Sequence, residues 1–329
     1  MKVLVTGGAG FAGSHLTEYL LGRGAEVTVL AAEQESLANI GEWLDRVRVV
    51  RIDLRDAPGL VRIVRDCAPD RVYHLAALSS PAESISNPQL TYDVNLLGTL
   101  HLLLACRELV GGCRFLFVSS SEVYGVVGAS EVPVREETPM RPANPYAGSK
   151  AAAELVADQF FRCYGVPVVR VRPFNHTGPR QSPTFVCSDF ARQVAEIELG
   201  LRAPRISVGN LDVQRDFSDV RDIVRGYYLL LEKGRAGEVY QLGSGRAVAI
   251  REILQTLLID SSQKAEVVVD PARLRLSEAV AVWGDTTKTE KAVGWQREYA
   301  LSQTMRDLKS YWLRQLLNPS ARQNESRRP

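Results

Sequence analysis

Short apolar runs alternate with helical patterns along the first half of the chain. Runs rich in aliphatic residues occur at Val3–Val5, Glu26–Leu30, Val47–Ile52, Val72–Ala77, Phe115–Val118 and Val166–Val171. Between these runs, apolar residues recur at helical spacing. Strands that form nearly continuous apolar runs are usually buried on both faces. The pattern therefore predicts an α/β fold, in which a doubly wound parallel sheet has helices on both sides.

The pattern changes after Pro173, where loops lengthen and short strands separate the helices. Helical segments of this second half are predicted at Phe190–Leu199, Ile223–Leu231, Ile250–Leu258 and Met305–Leu317. We expect a first α/β domain over residues 1–175 and a smaller C-terminal α/β lobe over residues 176–317. Some later segments are expected to return to the first domain, and residues 318–329 form a polar tail.

The composition narrows the class of protein. Lys and Arg total 40 against 38 Asp and Glu, so no general affinity for nucleic acid or membranes is expected. No apolar stretch approaches the roughly 20 residues that cross a bilayer. The chain opens on a predicted strand, so we expect no signal peptide. The five cysteines form no Cys-x-x-Cys pair, and the four histidines lack zinc-ligand spacing. We expect reduced thiols, no metal and a cytoplasmic location.

Three glycines follow the first strand and open the first helix. Gly7 lets the chain turn off the strand, Gly10 lets the backbone approach a pyrophosphate, and Gly13 lets the helix pack close to the sheet. Free N–H groups and the helix dipole then favour an anion. A glycine-rich turn without a ligand is the less favoured alternative in this context. The loop, with Phe11 and Ala12, therefore predicts a dinucleotide site of the Rossmann type in the first domain.

A tyrosine and a lysine lie one turn apart in a predicted helix. Tyr146 and Lys150 share a helical face, and a nearby ammonium favours the phenolate, so Tyr146 is expected to exchange a proton nearer neutral pH. Such a pair by itself is typical of a solvated helix face. The catalytic interpretation depends on the glycine loop and on Ser119–Glu122, which follow a strand at the edge where ligands bind in such sheets. The serines alone would indicate only a capped turn.

The Gly-x-x-Gly-x-x-Gly spacing resembles the extended short-chain dehydrogenase/reductase (NAD-dependent epimerase/dehydratase) family, and the resemblance covers roughly residues 1–313. It implies an NAD or NADP cofactor. Asp53 and Leu54 are matched to residues that bind adenine, Leu75-Ala76-Ala77 to small residues that make room for the cofactor, and Asn95 to the asparagine of the fourth helix. The alternatives are a cap or turn for Asp53 and a helix-interior contact for Asn95.

The end of the second strand leaves the choice of cofactor open. An acid there binds the ribose 2′-hydroxyl of NAD, and a nearby Arg accommodates the 2′-phosphate of NADP. The chain has Ala31-Ala32-Glu33-Gln34 at this place, with no Arg close by in sequence. Glu33 favours NAD, although it lies one or two residues beyond the position at which the acid is expected.

The resemblance also implies catalytic roles. Ser120 is matched to the hydroxyl that binds the substrate oxygen beside Tyr146, and Lys150 to the group that holds the nicotinamide ribose. Glu122 matches a glutamate that, in the family's sugar 4,6-dehydratases, moves the proton at C5 and the water at C6. Epimerases of the family usually have small residues instead. Some 4-keto-6-deoxy-mannose reductases carry the same Ser-Glu pair, so Glu122 leaves the reaction open.

Further matches imply a site for a nucleotide-diphosphate sugar. Pro173 is matched to a residue that touches the nicotinamide and Asn175 to one that reaches the phosphates, and Val186 belongs to the same substrate region. Arg275 and Glu278 are matched to residues that bind phosphate and ribose, although Leu replaces the usual Pro between them.

Arg215 is matched to an arginine that binds the diphosphate, and a guanidinium fork suits a pair of phosphates. A surface ion pair with Asp212 or Asp216 is the alternative.

Within the family, the chain is most similar to the branch of GDP-6-deoxy-4-keto-mannose reductases and GDP-mannose 4,6-dehydratases. This implies NAD(P)H-dependent reduction of the C4 ketone of a GDP-4-keto-6-deoxy-hexose. GDP-mannose 4,6-dehydration is the second candidate, and nucleotide-sugar 4-epimerisation is the third. A non-catalytic dinucleotide sensor is the alternative of another class, and the intact Ser120, Tyr146 and Lys150 argue against it.

The family also implies a homodimer, packed through the helices that contain Asn95 and Tyr146. Leu97, Leu100 and Leu104 would serve such a helix bundle or, equally well, the core of one chain.

Overall fold

The computed structural model describes residues 1–109, 111–259, 261, 263–274 and 281–318. The strands are β1 (Lys2–Thr6), β2 (Glu26–Ala31), β3 (Val47–Arg51), β4 (Arg71–His74), β5 (Arg114–Val118), β6 (Val168–Pro173), β7 (Asn175–Thr177), β8 (Arg205–Val208), β9 (Gln214–Arg215), β10 (Phe217–Asp219), β11 (Val239–Leu242), β12 (Val248–Ala249), β13 (Glu266–Val269) and β14 (Ala281–Val282).

The helices are α1 (Phe11–Leu21), α2 (Ala57–Cys67), α3 (Pro81–Ser86), α4 (Pro88–Tyr92), α5 (Gly98–Arg107), α6 (Pro145–Tyr164), α7 (Val186–Glu198), α8 (Val220–Lys233), α9 (Ile250–Ile259), α10 (Thr287–Val293) and α11 (Leu301–Leu317). Short 3₁₀ turns occur at Ala38–Trp43, Ser121–Tyr124, Ala129–Glu131 and Pro271–Arg273, and a π-helical turn at Asp93–Leu97 joins α4 to α5. None of the helices in the described ranges is long and apolar enough to cross a membrane.

Seven parallel strands form the central sheet, in the spatial order β11-β6-β5-β4-β1-β2-β3. The order reverses between β1 and β4, as in doubly wound dinucleotide-binding folds. Because all the strands are parallel, the loops after β1 to β6 lie at one edge of the sheet. The predicted doubly wound fold is confirmed.

Both faces of the sheet are apolar because successive residues of a strand point to opposite sides. Val3 and Val5 face a core closed by α1 and α8, and Leu4 faces a second core closed by α2, α5 and α6. This burial on both sides explains the unbroken apolar runs in the sequence.

The C-terminal lobe has its own apolar core. Helices α7, α9 and α11 pack around the strand pair β8–β13, while β7 pairs with β10 and β9 lies between β12 and β14. The chain also returns to the large sheet, because β11 pairs with β6 and α8 packs beside α1. The exact domain boundaries stay a prediction.

A buried ion pair joins α6 to β6. Arg172 Nε lies 3.1 and 3.0 Å from the two carboxylate oxygens of Glu154, and its Nη2 lies 2.6 Å from Oε1. Nη1 of Arg172 donates to the Tyr124 hydroxyl at 2.8 Å and to the Glu136 carbonyl at 2.9 Å. The fork-to-carboxylate contact fixes the rotation of α6 on the sheet, since both groups must meet in one orientation.

We expect Glu154→Gln to lower the free energy of unfolding by about 3–5 kcal/mol, because it leaves the Arg172 charge buried without its counter-ion. Urea unfolding followed by circular dichroism measures the change. Arg162→Ala is the matched control, since it removes an exposed guanidinium from the same helix and leaves its partner Asp158 paired with Arg170, so it should stay close to wild type. Equal effects of the two substitutions would contradict a structural role for the buried pair.

Candidate active site

The glycine loop turns at Gly7 and packs against the end of β4. Gly7 has a φ of +66°, and a Cβ on it would lie 2.9 Å from Cα of Ala76. A Cβ on Gly13 would lie 1.9 Å from the carbonyl oxygen of Gly7. Side chains are therefore excluded at both positions. Gly7 lets the loop lie close to the half-buried Leu75–Ala77 segment, and Gly13 lets α1 lie close to the loop itself. The loop lies between β1 and β4, where ligands bind in doubly wound sheets.

The start of α1 fits the pyrophosphate of a dinucleotide. The helix begins at Phe11 after Gly10, and within the described chain no side chain caps its first-turn N–H groups. The first turn also holds no acidic residue, so its positive dipole end can face an anion. The Phe11 ring stacks on His176 at 5.8 Å between centroids. Cofactor contacts of Gly10, Phe11 and Ala12 stay predictions.

Asp53 and Leu54 follow β3 at the same edge of the sheet. The Asp53 carboxylate accepts hydrogen bonds from the guanidinium of Arg55, the shorter at 2.6 Å, and both side chains are about half exposed. These bonds lower the pKa of Asp53. Leu54 is buried and packs against Gly98. Adenine contacts of Asp53 and Leu54 stay predictions.

A chain of hydrogen bonds runs through the interior behind the glycine loop. His74 Nδ1 lies 2.7 Å from Thr6 Oγ1, and its Nε2 lies 2.8 Å from Thr99 Oγ1. The Thr99 hydroxyl donates to the Asn95 carbonyl at 2.6 Å. Thr99 therefore accepts from His74, and we assign the imidazole proton to Nε2. Burial and, to a lesser degree, the charge of Lys150 lower the pKa of His74 to about 3, so the ring is neutral.

Asn95 lies in the π-helical turn and connects two parts of the site. Its Oδ1 accepts from the N–H of Leu78 at 2.8 Å, and its Nδ2 donates to the Leu78 carbonyl at 3.1 Å and to Ser149 Oγ at 2.9 Å. Ser149 in turn donates to the Tyr146 carbonyl at 2.8 Å. Asn95 thus ties the loop after β4 to the start of α6. Its direct contact with a cofactor stays a prediction.

Helix α6 carries Tyr146 and Lys150 on one face. The helix begins sharply because the Asn144 side chain accepts from the N–H of Ala147 at 2.8 Å and Pro145 occupies the first helical position. From this fixed start, residues four positions apart point to the same side.

The phenol of Tyr146 is brought together with Ser120 and Glu122. Burial raises the pKa of Tyr146 to about 12, a hydrogen bond with the buried Ser120 lowers it in part, and the charge of Glu122 raises it further. Glu122 itself is exposed, in the 3₁₀ turn after β5, and its N–H donates to Ser120 Oγ at 3.1 Å. The sequence predicts easier ionisation of Tyr146. In the structure, loss of hydration keeps Tyr146 a neutral proton donor.

The ammonium of Lys150 is buried beneath the site, 4.9 Å from the centroid of the Phe117 ring. Burial lowers the pKa of Lys150 to about 8, and the carboxylate of Glu154 opposes that shift. Sequence reasoning missed Glu154. The four-residue spacing from Lys150 could have indicated that Glu154 shares its helical face. The ion-pair partner of Glu154 could not be predicted in this way, because it lies on another element.

The substrate residues are distributed along the second half of the chain. Pro173 is buried at the end of β6, Asn175 is half-buried at the start of β7, and Val186 begins α7. Their contacts with substrate stay predictions. Arg275 and Glu278 lie outside the described residues.

Arg215 is half-buried in β9, and its Nη1 donates to the Gln214 carbonyl at 2.8 Å. Of the two carboxylates considered as its partners, Asp212 pairs with Arg251 at 2.7 Å. Asp216 is fully buried and accepts from backbone N–H groups of neighbouring loops. Binding of diphosphate by Arg215 stays a prediction.

The loop after β2 contains a carboxylate that the sequence pattern did not indicate. Glu35 Oε2 accepts from the N–H of Ala32 at 3.1 Å, and Oε1 lies 3.6 Å from the place of a Cβ on Gly10. Glu35 reaches the strand end because the loop turns back, its own N–H donating to the Ala32 carbonyl at 3.0 Å. Glu33, which the sequence favours, is exposed.

Known proteins share this fold and much of the sequence. Residues 4–308 match the family model described as GDP-mannose 4,6 dehydratase. GDP-6-deoxy-D-mannose reductase of Pseudomonas aeruginosa is 37% identical over 311 residues, which cover 94% of this chain and 97% of that protein.

Two solved structures resemble the whole chain. RMD from Pseudomonas aeruginosa complexed with NADPH has a TM-score of 0.83 and 36% identity, and the match covers 95% of this chain and 99% of that one. UDP-glucose 4-epimerase of Thermus thermophilus, in complex with NAD, has a TM-score of 0.83 and 34% identity, with 95% and 99% covered.

These matches confirm the resemblance expected from the glycine spacing, and the NADPH and NAD of the neighbours agree with the expected NAD(P) cofactor. They extend over nearly the full length of the chain, so they cover both the sheet and the smaller lobe. The chain belongs to the GDP-mannose 4,6-dehydratase family, among the extended short-chain dehydrogenases/reductases.

Proposed function

We propose that the protein reduces the C4 ketone of a GDP-4-keto-6-deoxy-hexose with NAD(P)H. The observation that carries the proposal is the placement of Tyr146, which is half-buried at the start of α6, beside Ser120 at the end of β5 and on the same helical face as the buried Lys150. Loss of hydration at this place raises the pKa of Tyr146 to about 12. A phenol held in its neutral form is suited to give a proton to a carbonyl oxygen that is being reduced. The similarity to GDP-6-deoxy-D-mannose reductase supports the same reaction and a GDP-sugar as the substrate.

Three side chains of the site have separate roles in this reaction. When bound, NAD(P)H supplies the hydride that adds to C4. Ser120 donates a hydrogen bond to the C4 oxygen, and Tyr146 transfers its phenolic proton to that oxygen as the carbonyl electron pair moves onto it. The products are the C4 alcohol and the oxidised dinucleotide. Lys150, charged below its pKa of about 8, stabilises the tyrosinate that remains until solvent returns the proton.

GDP-mannose 4,6-dehydration is the second candidate, and Glu122 is the observation in its favour. This carboxylate lies close enough to Tyr146 to raise the pKa of the phenol, and it is exposed rather than buried in the core. A carboxylate beside the proton donor is what an elimination of water needs. A 4-epimerase ranks third.

We also infer that the protein works as a homodimer in the cytoplasm. Leu90, Leu97 and Leu155 are 39%, 41% and 58% exposed on the adjoining α4, π-helical turn and α6. Leu100 and Leu104 pack against the core instead. The exposed side chains suit a helix-bundle interface with a second copy of the chain. The five cysteines are free thiols, which suits a reducing compartment.

Tyr146→Phe should lower kcat by about 10²–10⁴-fold, because it removes the proton donor without removing the ring. Steady-state reduction of GDP-4-keto-6-deoxy-mannose, followed at the absorbance of NAD(P)H, measures the effect. Tyr164→Phe, at the exposed end of the same helix, is the control and should keep wild-type kcat. Unchanged turnover in Tyr146→Phe would remove this tyrosine from the mechanism.

An assay with GDP-mannose as the substrate distinguishes the two leading reactions. Purified protein given GDP-mannose without added reductant should form no 4-keto product, because that product requires removal of hydride from C4 and elimination of water, whereas a reductase acts on a sugar that already carries the ketone. With GDP-4-keto-6-deoxy-mannose and NAD(P)H, Glu122→Gln should retain most of the wild-type rate. If ketone accumulates from GDP-mannose and Glu122→Gln abolishes it, the protein is a dehydratase.

Leu155→Glu should convert the dimer to a monomer, since it places a charge in the apolar interface. Light scattering coupled to size-exclusion chromatography gives the mass. Ile259→Glu is the control, because Ile259 is 77% exposed on α9 in the other lobe and should leave the dimer intact. A wild-type monomer, or a dimer that Leu155→Glu leaves unchanged, argues against this interface.

A further inference from the structure

The choice between NADH and NADPH depends on which side chains, and which charges, lie near the adenosine ribose at the end of β2. Folds of this type commonly place an acid there for the ribose hydroxyls, or an Arg for a 2′-phosphate. In this chain β2 ends at Ala31, followed by Ala32, so the strand end has no charged side chain of its own.

Glu35 supplies a carboxylate to this place from further along the chain. Its Oε2 is held by the N–H of Ala32, and its Oε1 faces Gly10 in the glycine loop. The carboxylate therefore lies between the end of β2 and the start of α1, the two elements that border the ribose in a Rossmann site. Asn39, which donates to the Ala9 carbonyl at 3.3 Å, holds the following turn against the same loop.

Arg51 fixes the conformation of the loop that places the Glu35 carboxylate at the end of β2. It is the last residue of β3 and is paired in register with Ala31. Its Nη1 donates to the Ala32 carbonyl at 2.5 Å and to the Glu35 carbonyl at 2.6 Å. The guanidinium thus closes the loop from Ala32 to Glu35, and its positive charge lies near enough to act on the Glu35 carboxylate.

We propose that Glu35 sets the choice of dinucleotide, in favour of NADH. Its carboxylate accepts hydrogen bonds from the ribose hydroxyls, and its charge repels the 2′-phosphate that distinguishes NADPH. With Glu35 neutralised, the positive charge of Arg51 remains to attract that phosphate. The inference rests on the dinucleotide site of the proposed function and is independent of the sugar that the enzyme reduces.

Binding of NAD⁺ and NADP⁺ to the full-length protein, measured by isothermal titration calorimetry, tests this proposal without turnover. Wild type should bind NAD⁺ more tightly. Glu35→Gln keeps an acceptor for the Ala32 N–H but loses the charge, so it should shift the ratio of the two Kd values towards NADP⁺ by about tenfold or more. Glu33→Gln removes the exposed neighbouring carboxylate and should leave the ratio within about twofold of wild type.

The double variant Glu35→Gln/Arg51→Met completes the test. It should lose the NADP⁺ affinity that Glu35→Gln gained, because the attracting cation is gone. Tighter binding of NADP⁺ by wild type, or equal shifts from Glu35→Gln and Glu33→Gln, would overturn the proposal. Absence of sugar turnover with these binding ratios intact would instead count against the proposed reaction alone.

Discussion

The rotation of α6 about its own axis is the constraint on which the site depends. Tyr146, Lys150 and Glu154 follow one another at four-residue intervals, so a single rotation of the helix places all three. The ion pair between Glu154 and Arg172 holds that rotation from inside the protein. At the other end, the Asn144 cap and the contact of Asn95 with Ser149 fix where the helix begins.

The same arrangement sets the electrostatics of the site. Burial disfavours the charged forms of Tyr146 and Lys150 and therefore shifts their pKa values in opposite directions. The neutral His74 adds no second positive charge beside Lys150. Glu154 lies near enough to favour the ammonium, and the same carboxylate pairs with Arg172. A proton donor and a cation are thus kept side by side with little competing charge in the interior.

Features that depend on local spacing could be predicted from the sequence. The apolar runs gave the parallel sheet, the glycine spacing gave the loop, and the positions of Ser120, Tyr146 and Lys150 indicated one catalytic group. Features that depend on how distant segments meet could not be predicted. Glu35 reaches the end of β2 only because its loop turns back, and the partner of Glu154 lies on β6. The protonation of Tyr146 also escaped prediction, because hydration loss depends on the packed interior rather than on spacing.

The return of the chain to the central sheet has a consequence for synthesis on the ribosome. β11 completes one end of the sheet and α8 covers the face beside α1, although both follow the first elements of the smaller lobe. A nascent chain that ends before residue 220 therefore has no partner for the outer side of β6 or for the apolar surface next to α1. The nucleotide-binding half cannot complete its packing until α8 and β11, which are synthesised later, are available. The two lobes are therefore expected to acquire their final packing together rather than one after the other.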